Sequence, residues 1–382
     1  MYSNLLFEKW GIHNWKEYIG TLFWIANQTN KYRVENRKGM AVLNLDTLID
    51  ETGLISKSLI NALSINENDH LPYITNAKDR NNNDDYRFFR SNPLIKLDEG
   101  EKFVVANIQF ISERIFNSLF FDFKPFISDK KKGFGIVDFN KDFIEKHLFK
   151  EAVRKCFKDG SFCYPATDNN AKEDIYEPDF YCREGTDIYV FECKAIKMNG
   201  TIKDDGDFHR LIDELHEKIV LTTKQLDPNL KVNQNKARNH GIGQLIYHIK
   251  SIEDDTFHWD NNIPDQIRYY PILVLEDPKL IQPGLFSITN KWYQDEIKRQ
   301  GLNLDEIASS PLITMSIASF YKYEETIRMK GLCNLIDKFE KEATSTDKNG
   351  NKNFSIIASF DKFLTRYKPT VNNEIKEWLL SK

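Results

Sequence analysis

An α/β fold built around a central β-hairpin is predicted by three features of the sequence. A segment of helical period over 138–157 precedes two short runs rich in Tyr, Phe, Val and Ile, at 175–182 and 187–194. The turn between them, Arg183-Glu184-Gly185-Thr186, has hairpin length and contains glycine. Two amphipathic segments, 207–226 and 242–252, then lead to Tyr269-Tyr-Pro-Ile-Leu-Val-Leu275, which reads as a buried strand. Helix, strand, strand, helix, helix, strand is the order of helices layered on a sheet.

Each element has its own reason. In 138–157, Ile144, Leu148, Ala152 and Cys156 recur every four residues, and Gly160 follows the last of them. Segment 207–226 sets Phe208, Leu211, Leu215 and Ile219 on one face, and 242–252 does the same with Leu245, Ile246 and Ile249. Before this region, 2–29, 43–63 and 102–123 carry apolar residues at mixed helical spacing, so a mostly helical N-terminal domain is expected over 1–133. Its boundary falls at Ser128-Asp-Lys-Lys-Lys-Gly133. An α/β domain follows over 134–300, and a helical C-terminal extension over 301–382. The polar stretches 76–85 and 344–353 read as loops.

Composition removes several function classes. With 382 residues, 53 Lys+Arg and 57 Asp+Glu, the net charge of −4 excludes a protein that coats DNA by bulk charge, but not one local basic groove. Such a stretch runs from 218 to 250, where Lys218, Lys224, Lys231, Lys236, Arg238 and Lys250 face one acid, Asp227. The acids that follow, Glu253, Asp254, Asp255, Asp260 and Asp265, have no basic neighbour in sequence. No apolar run approaches a membrane span, and the first residues lack a secretory pattern, so a cytoplasmic protein without a membrane partner is expected. Five cysteines without C-x-x-C spacing argue against a zinc site or disulfide framework. His209, His216, His240 and His248 lack zinc-binding spacing and read as structural or substrate-adjacent. No phosphate-binding loop of the G-x-x-x-x-G-K-[ST] type occurs.

The chemistry concentrates in Glu177-Pro-Asp-Phe180 and Phe191-Glu-Cys-Lys194. Twelve residues separate Asp179 from Glu192, enough for a hairpin to return both carboxylates to one end of a sheet. Lys194, two residues beyond Glu192, shares its strand face, and Cys193 points the other way. Two carboxylates beside a lysine suit Mg²⁺, which takes oxygen ligands and keeps several waters. Such a cation lowers the pKa of bound water and polarises a phosphoryl oxygen.

In these residues the sequence resembles the PD-(D/E)xK nuclease superfamily, over roughly 138–275. The resemblance implies a restriction-endonuclease-like central mixed sheet flanked by helices. It also implies a metal-dependent DNA endonuclease using Mg²⁺, with Mn²⁺ able to substitute. Asp179, Glu192 and the carbonyl of Cys193 would be metal ligands, and Lys194 would help activate water. A further acid on the preceding helix is Glu145, with Glu151 as the alternative. Gly243-Gln244-Leu-Ile-Tyr247 resembles a glutamine-bearing helix of one branch, which makes Gln244 and Tyr247, with Lys236 and Arg238, the substrate-binding candidates. Defence against foreign DNA is the implied setting, with a homodimer or protein partner engaged through the helical ends. The competing expectation is a non-catalytic nucleic-acid-binding or assembly protein that keeps a nuclease-like fold.

Overall fold

The structure, a computed structural model, describes residues 2–36, 40–46, 53–66, 68–69, 87–97, 101–114, 135, 139–164, 177–199, 202, 206–222, 238–303, 306–348, 350 and 352–370. The chain divides into two units, one within 1–136 and the other Val137–Asn373.

The first unit is mixed α/β where a mostly helical domain was expected. Four short strands, β1 (Val42–Asn44), β2 (Ser64–Asn66), β3 (Leu94–Lys96) and β4 (Lys102–Val105), form a sheet in the order β1-β4-β3-β2. The helices are α1 (Tyr2–Trp10), α2 (Trp15–Asn36), α3 (Lys57–Ala62), α4 (Arg87–Ser91) and α5 (Ile108–Glu113). Local alternation overrides the helical spacing at β4, where Phe103 and Val105 are buried and Lys102 and Val104 less so. Leu22, Ile25, Leu43, Leu59, Leu94 and Phe103 share one core.

In the second unit a five-stranded mixed sheet lies between two helical layers. The strands are β5 (Phe162–Tyr164), β6 (Phe180–Glu184), β7 (Asp187–Lys194), then β10 (Arg268–Leu275) and β11 (Ile313–Ser316). The two-residue strands β8 (Leu221–Thr222) and β9 (Arg238–Asn239) pair separately. The order is β11-β10-β7-β6-β5; β5, β6 and β7 are antiparallel, and β7, β10 and β11 parallel.

A single helix, α6, runs through π-helical turns at Asn140–Phe149 into α-helical ones at Lys150–Lys155. It lies on one face of the sheet with α10 (Ile317–Lys330), α11 (Leu332–Ala343) and α12 (Phe360–Leu364). The other face carries α7 (Phe208–Ile219), α8 (Gly241–Glu253) and most of α9 (Leu285–Arg299). Strand parity sorts the side chains: Tyr189, Phe191 and Cys193 enter the first core, Ile188 and Val190 the second.

The hairpin is tighter than the sequence suggests. Glu184 pairs with Asp187, leaving Gly185-Thr186 as a two-residue turn, with Gly185 at φ +63°. Strand β6 begins at Phe180 rather than 175, so Asp179 lies just before the strand; 165–176 fall outside the described residues. The C-terminal extension expected over 301–382 is helical at α10, α11 and α12 and also contributes Ile313–Ser316, a wholly buried strand alongside β10. Four apolar or small residues before a long helix leave no period to read. Among the described residues, no helix is long and apolar enough to cross a membrane.

Candidate active site

The β6–β7 register carries Asp179 to Glu192. Phe180 pairs with Phe191, so one step further places Asp179 opposite Glu192, at the carboxyl end of β7. In open α/β sheets that end is where ligands bind. The main-chain N–H of Cys193 donates to Asp179 Oδ2 at 2.8 Å, which fixes the carboxylate against the strand. Lys194 Nζ lies 2.9 Å from Glu192 Oε2 and 3.7 Å from Asp179 Oδ2. The three predicted residues therefore converge.

His248, on α8, completes the cluster. Its Nε2 stands 3.4 Å from Glu192 Oε1. Glu192 Oε1 and His248 Nδ1 are buried without a hydrogen-bond partner among the described residues. The sequence leaves His248 among the histidines read as structural or substrate-adjacent.

Electrostatics follow from putting two carboxylates together in a closed corner. Burial, then the charge of Glu192, pushes Asp179 up to about 7, against the pull of Lys194. Burial alone would lower the Lys194 ammonium, but Glu192, Asp179 and Glu145 outweigh it and hold the pKa above its ordinary value. Burial lowers His248 to about 4, reinforced by Lys194 and opposed by Asp179, so the imidazole is neutral. The Cys193 thiol faces the opposite core, where burial raises its pKa.

Glu145 lies on α6, whose start is tied to the exit of β7 by Asn140 Nδ2 donating to Ala195 O at 2.6 Å. Its charge bears on both Cys193 and Lys194. Glu151 instead makes an exposed ion pair with Lys155 at 2.6 Å, one turn along its own helix.

The substrate candidates are dispersed. Gln244 Oε1 accepts from the N–H of Gly241 at 3.0 Å and so caps its own helix. Tyr247 is exposed, its ring 5.6 Å from that of His248. Lys236 lies outside the described residues, and Arg238 is placed by its backbone in β9. Two described lysines of the basic stretch are engaged within the protein: Lys218 with Glu214, and Lys250 with the carbonyl of Gln300. Nor is Asp260 without a basic partner, since Arg183 binds it from the hairpin.

Among the described residues, no three His, Cys, Asp or Glu side chains form a group that could hold a metal ion. The donors that could serve a divalent cation are Asp179 and Glu192, one of whose oxygens is buried and unbonded. Two carboxylates suffice for a hard cation that retains water, so the donor chemistry fits Mg²⁺. In this structure Lys194 supplies the neutralising charge.

Comparison with protein-family models, with curated proteins and with solved structures finds no match to this chain. What the structure establishes is a mixed α/β protein with a partly buried carboxylate–lysine–imidazole cluster at the end of a parallel strand pair.

Proposed function

We propose that this chain is a metal-dependent nuclease that hydrolyses phosphodiester bonds, with DNA as substrate and internal cleavage as the mode. The observation that carries this reading is the meeting of Asp179, Glu192 and Lys194 at the carboxyl end of β7, across one hairpin. Asp179 and Glu192 would hold the cation, with the Cys193 carbonyl as a main-chain donor. Bound Mg²⁺ would supply Lewis acidity toward a phosphoryl oxygen and acidify a water. Lys194 would orient the attacking water or balance charge on the phosphate oxygens. Glu145 adds negative charge from the helix side, which favours the ammonium form of Lys194. A cytoplasmic role against foreign DNA, with partners held by the first unit, extends the same proposal.

A second reading, a nucleic-acid-binding or assembly protein without catalysis, has one observation in its favour. Lys194 already neutralises the carboxylates internally, as a structural ion pair would. Incubating the purified full chain with plasmid, linear duplex, single strands and RNA, with Mg²⁺, Mn²⁺ or EDTA, separates the two. Cleavage that needs the cation and disappears in Glu192→Ala and Lys194→Ala supports the nuclease. Cation-independent cleavage, or cleavage surviving both substitutions, sinks the mechanism. Binding without cleavage favours the second reading.

A further inference from the structure

The sheet edge opposite β11 brings two thiols together. Cys163 is the central residue of the edge strand β5, and Cys182 the central residue of β6. The antiparallel register sets them directly across from each other, between Phe162–Arg183 and Tyr164–Tyr181. Directly opposed residues in such a pair have Cα atoms about 4.5–5.5 Å apart, inside the range a disulfide spans. Both side chains lie on the face of the first core, with their Sγ atoms 2.6 Å apart, and both are free thiols. Cys163 is partly exposed and Cys182 is buried.

We propose that Cys163 and Cys182 form a reversible thiol-oxidation site, closed to a cross-strand disulfide by a peroxide or a small disulfide and reopened by a dithiol reductant. This goes beyond the nuclease reading and does not depend on it. The two sulfurs have different roles. Cys163 is the accessible one; the contact with the Cys182 thiol, and then the positive field of Arg154, lower its pKa against the opposing effect of burial. Burial holds Cys182 as the thiol. With hydrogen peroxide, the Cys163 thiolate attacks one oxygen, the O–O bond breaks, and sulfenic acid and hydroxide form. The Cys182 sulfur then attacks the sulfenic sulfur; its S–H proton leaves with the departing hydroxyl as water, and hydroxide takes up the proton Cys163 had lost. Two thiols and one peroxide thus become one disulfide and two waters, each sulfur losing one electron.

The remaining cysteines are less suited. Cys156 is buried, its thiol directed to Ala152 O, and Cys193 is fully buried in the core. Cys333 is half-buried beside the Tyr189 hydroxyl, without a facing thiol.

The test uses the reduced, folded full chain exposed to hydrogen peroxide or oxidised glutathione, quenched by alkylation and digested. The expected result is a Cys163–Cys182 cross-linked peptide, with alkylatable thiols falling by two of the five. Oxidised wild type should melt roughly 5–10 °C higher than reduced, and dithiothreitol should erase the difference. Cys163→Ser should lose both the cross-link and the shift. Because Cys182 is buried, Cys182→Ser is read only for the Cys163 adduct, which should stop at sulfenic acid or a mixed disulfide. Five intact thiols after treatment, a link to another cysteine, or a melting shift that persists in Cys163→Ser would overturn the proposal.

Discussion

His248 Nε2 faces Glu192 Oε1 at 3.4 Å inside the protein, while Lys194 holds the other carboxylate oxygen at 2.9 Å. Glu192 is thus set between an ammonium and a neutral imidazole, with no exposed surface of its own. A group that orients a metal-binding carboxylate typically changes metal affinity roughly 10–100-fold when removed. His248→Ala should weaken Mg²⁺ or Mn²⁺ binding by that factor in isothermal titration. His248→Gln, which keeps a neutral polar side chain beside Glu192, should stay within a few-fold of wild type. Equal affinity in all three proteins would remove His248 from the site.

Asp179 and His248 predict two opposed pH dependences in cation-free protein. Asp179 titrates at about 7 when folded, against an ordinary 3.8, so the folded state binds a proton that the unfolded chain has lost. Its contribution therefore favours the fold as pH falls from 7 toward 4, and is lost as pH rises through 7. His248 titrates at about 4 against 6.5, so the unfolded chain takes the proton first, and acidification through that window destabilises. Urea midpoints in EDTA should show the two largely offset in wild type. His248→Gln should gain stability on acidification and Asp179→Asn should lose it, each by about 1–3 kcal/mol. The Asp179 side chain is 26% exposed, so solvent screens its charge and its contribution falls short of the full linkage value. Parallel curves for all three proteins would refute the assigned shifts.

How much was legible in the sequence depends on the range of the interaction. The β6–β7 hairpin, and with it Asp179, Glu192 and Lys194, follows from a glycine turn and a period of two, both local. His248 enters through a crossover that returns α8 to β7, and its own spacing to other histidines carries no trace of that. Asp260 looked unpaired for the same reason, its partner Arg183 lying 77 residues away. Strands of three or four residues, such as Phe162–Tyr164 and Ile313–Ser316, are too short for a period and are defined by the sheet they join.

Lys194 gives the next prediction, because it is the charge that makes a buried Glu192 tolerable. Removing one partner of a buried pair typically costs about 3–5 kcal/mol, since the other charge is left uncompensated. Lys194→Met should lower cation-free stability by that order. If the carboxylates can take a divalent cation, Mg²⁺ then replaces the missing charge, and its stabilising effect should be larger in Lys194→Met than in wild type. Thermal melts with and without Mg²⁺ measure this, and an equal or smaller Mg²⁺ shift in the variant would count against a cation site there.

A comparably buried ion pair at the other end of the hairpin supplies the control. Asp260 accepts from Arg183 Nε at 2.6 Å and Nη2 at 3.2 Å, from the Tyr181 hydroxyl at 2.9 Å, and from the Asn262 N–H at 3.0 Å. Burial would raise this carboxyl, but the bonds from Arg183, Asn262 and Tyr181 hold it below its ordinary value. Its contribution is present above the ordinary value of 3.8 and is lost as pH falls through the lower folded one. Arg183→Met should destabilise by about 3–5 kcal/mol, and adding Asp260→Asn should cost less than the sum of the single changes, because the two share one interaction. Neither change touches the Asp179–Glu192–Lys194–His248 cluster, so Mg²⁺ affinity per folded molecule should stay at the wild-type value. Loss of affinity in Arg183→Met at a temperature where it remains folded would mean that the hairpin transmits strain from its turn to the carboxylates, and that the cluster is held less locally than its distances suggest.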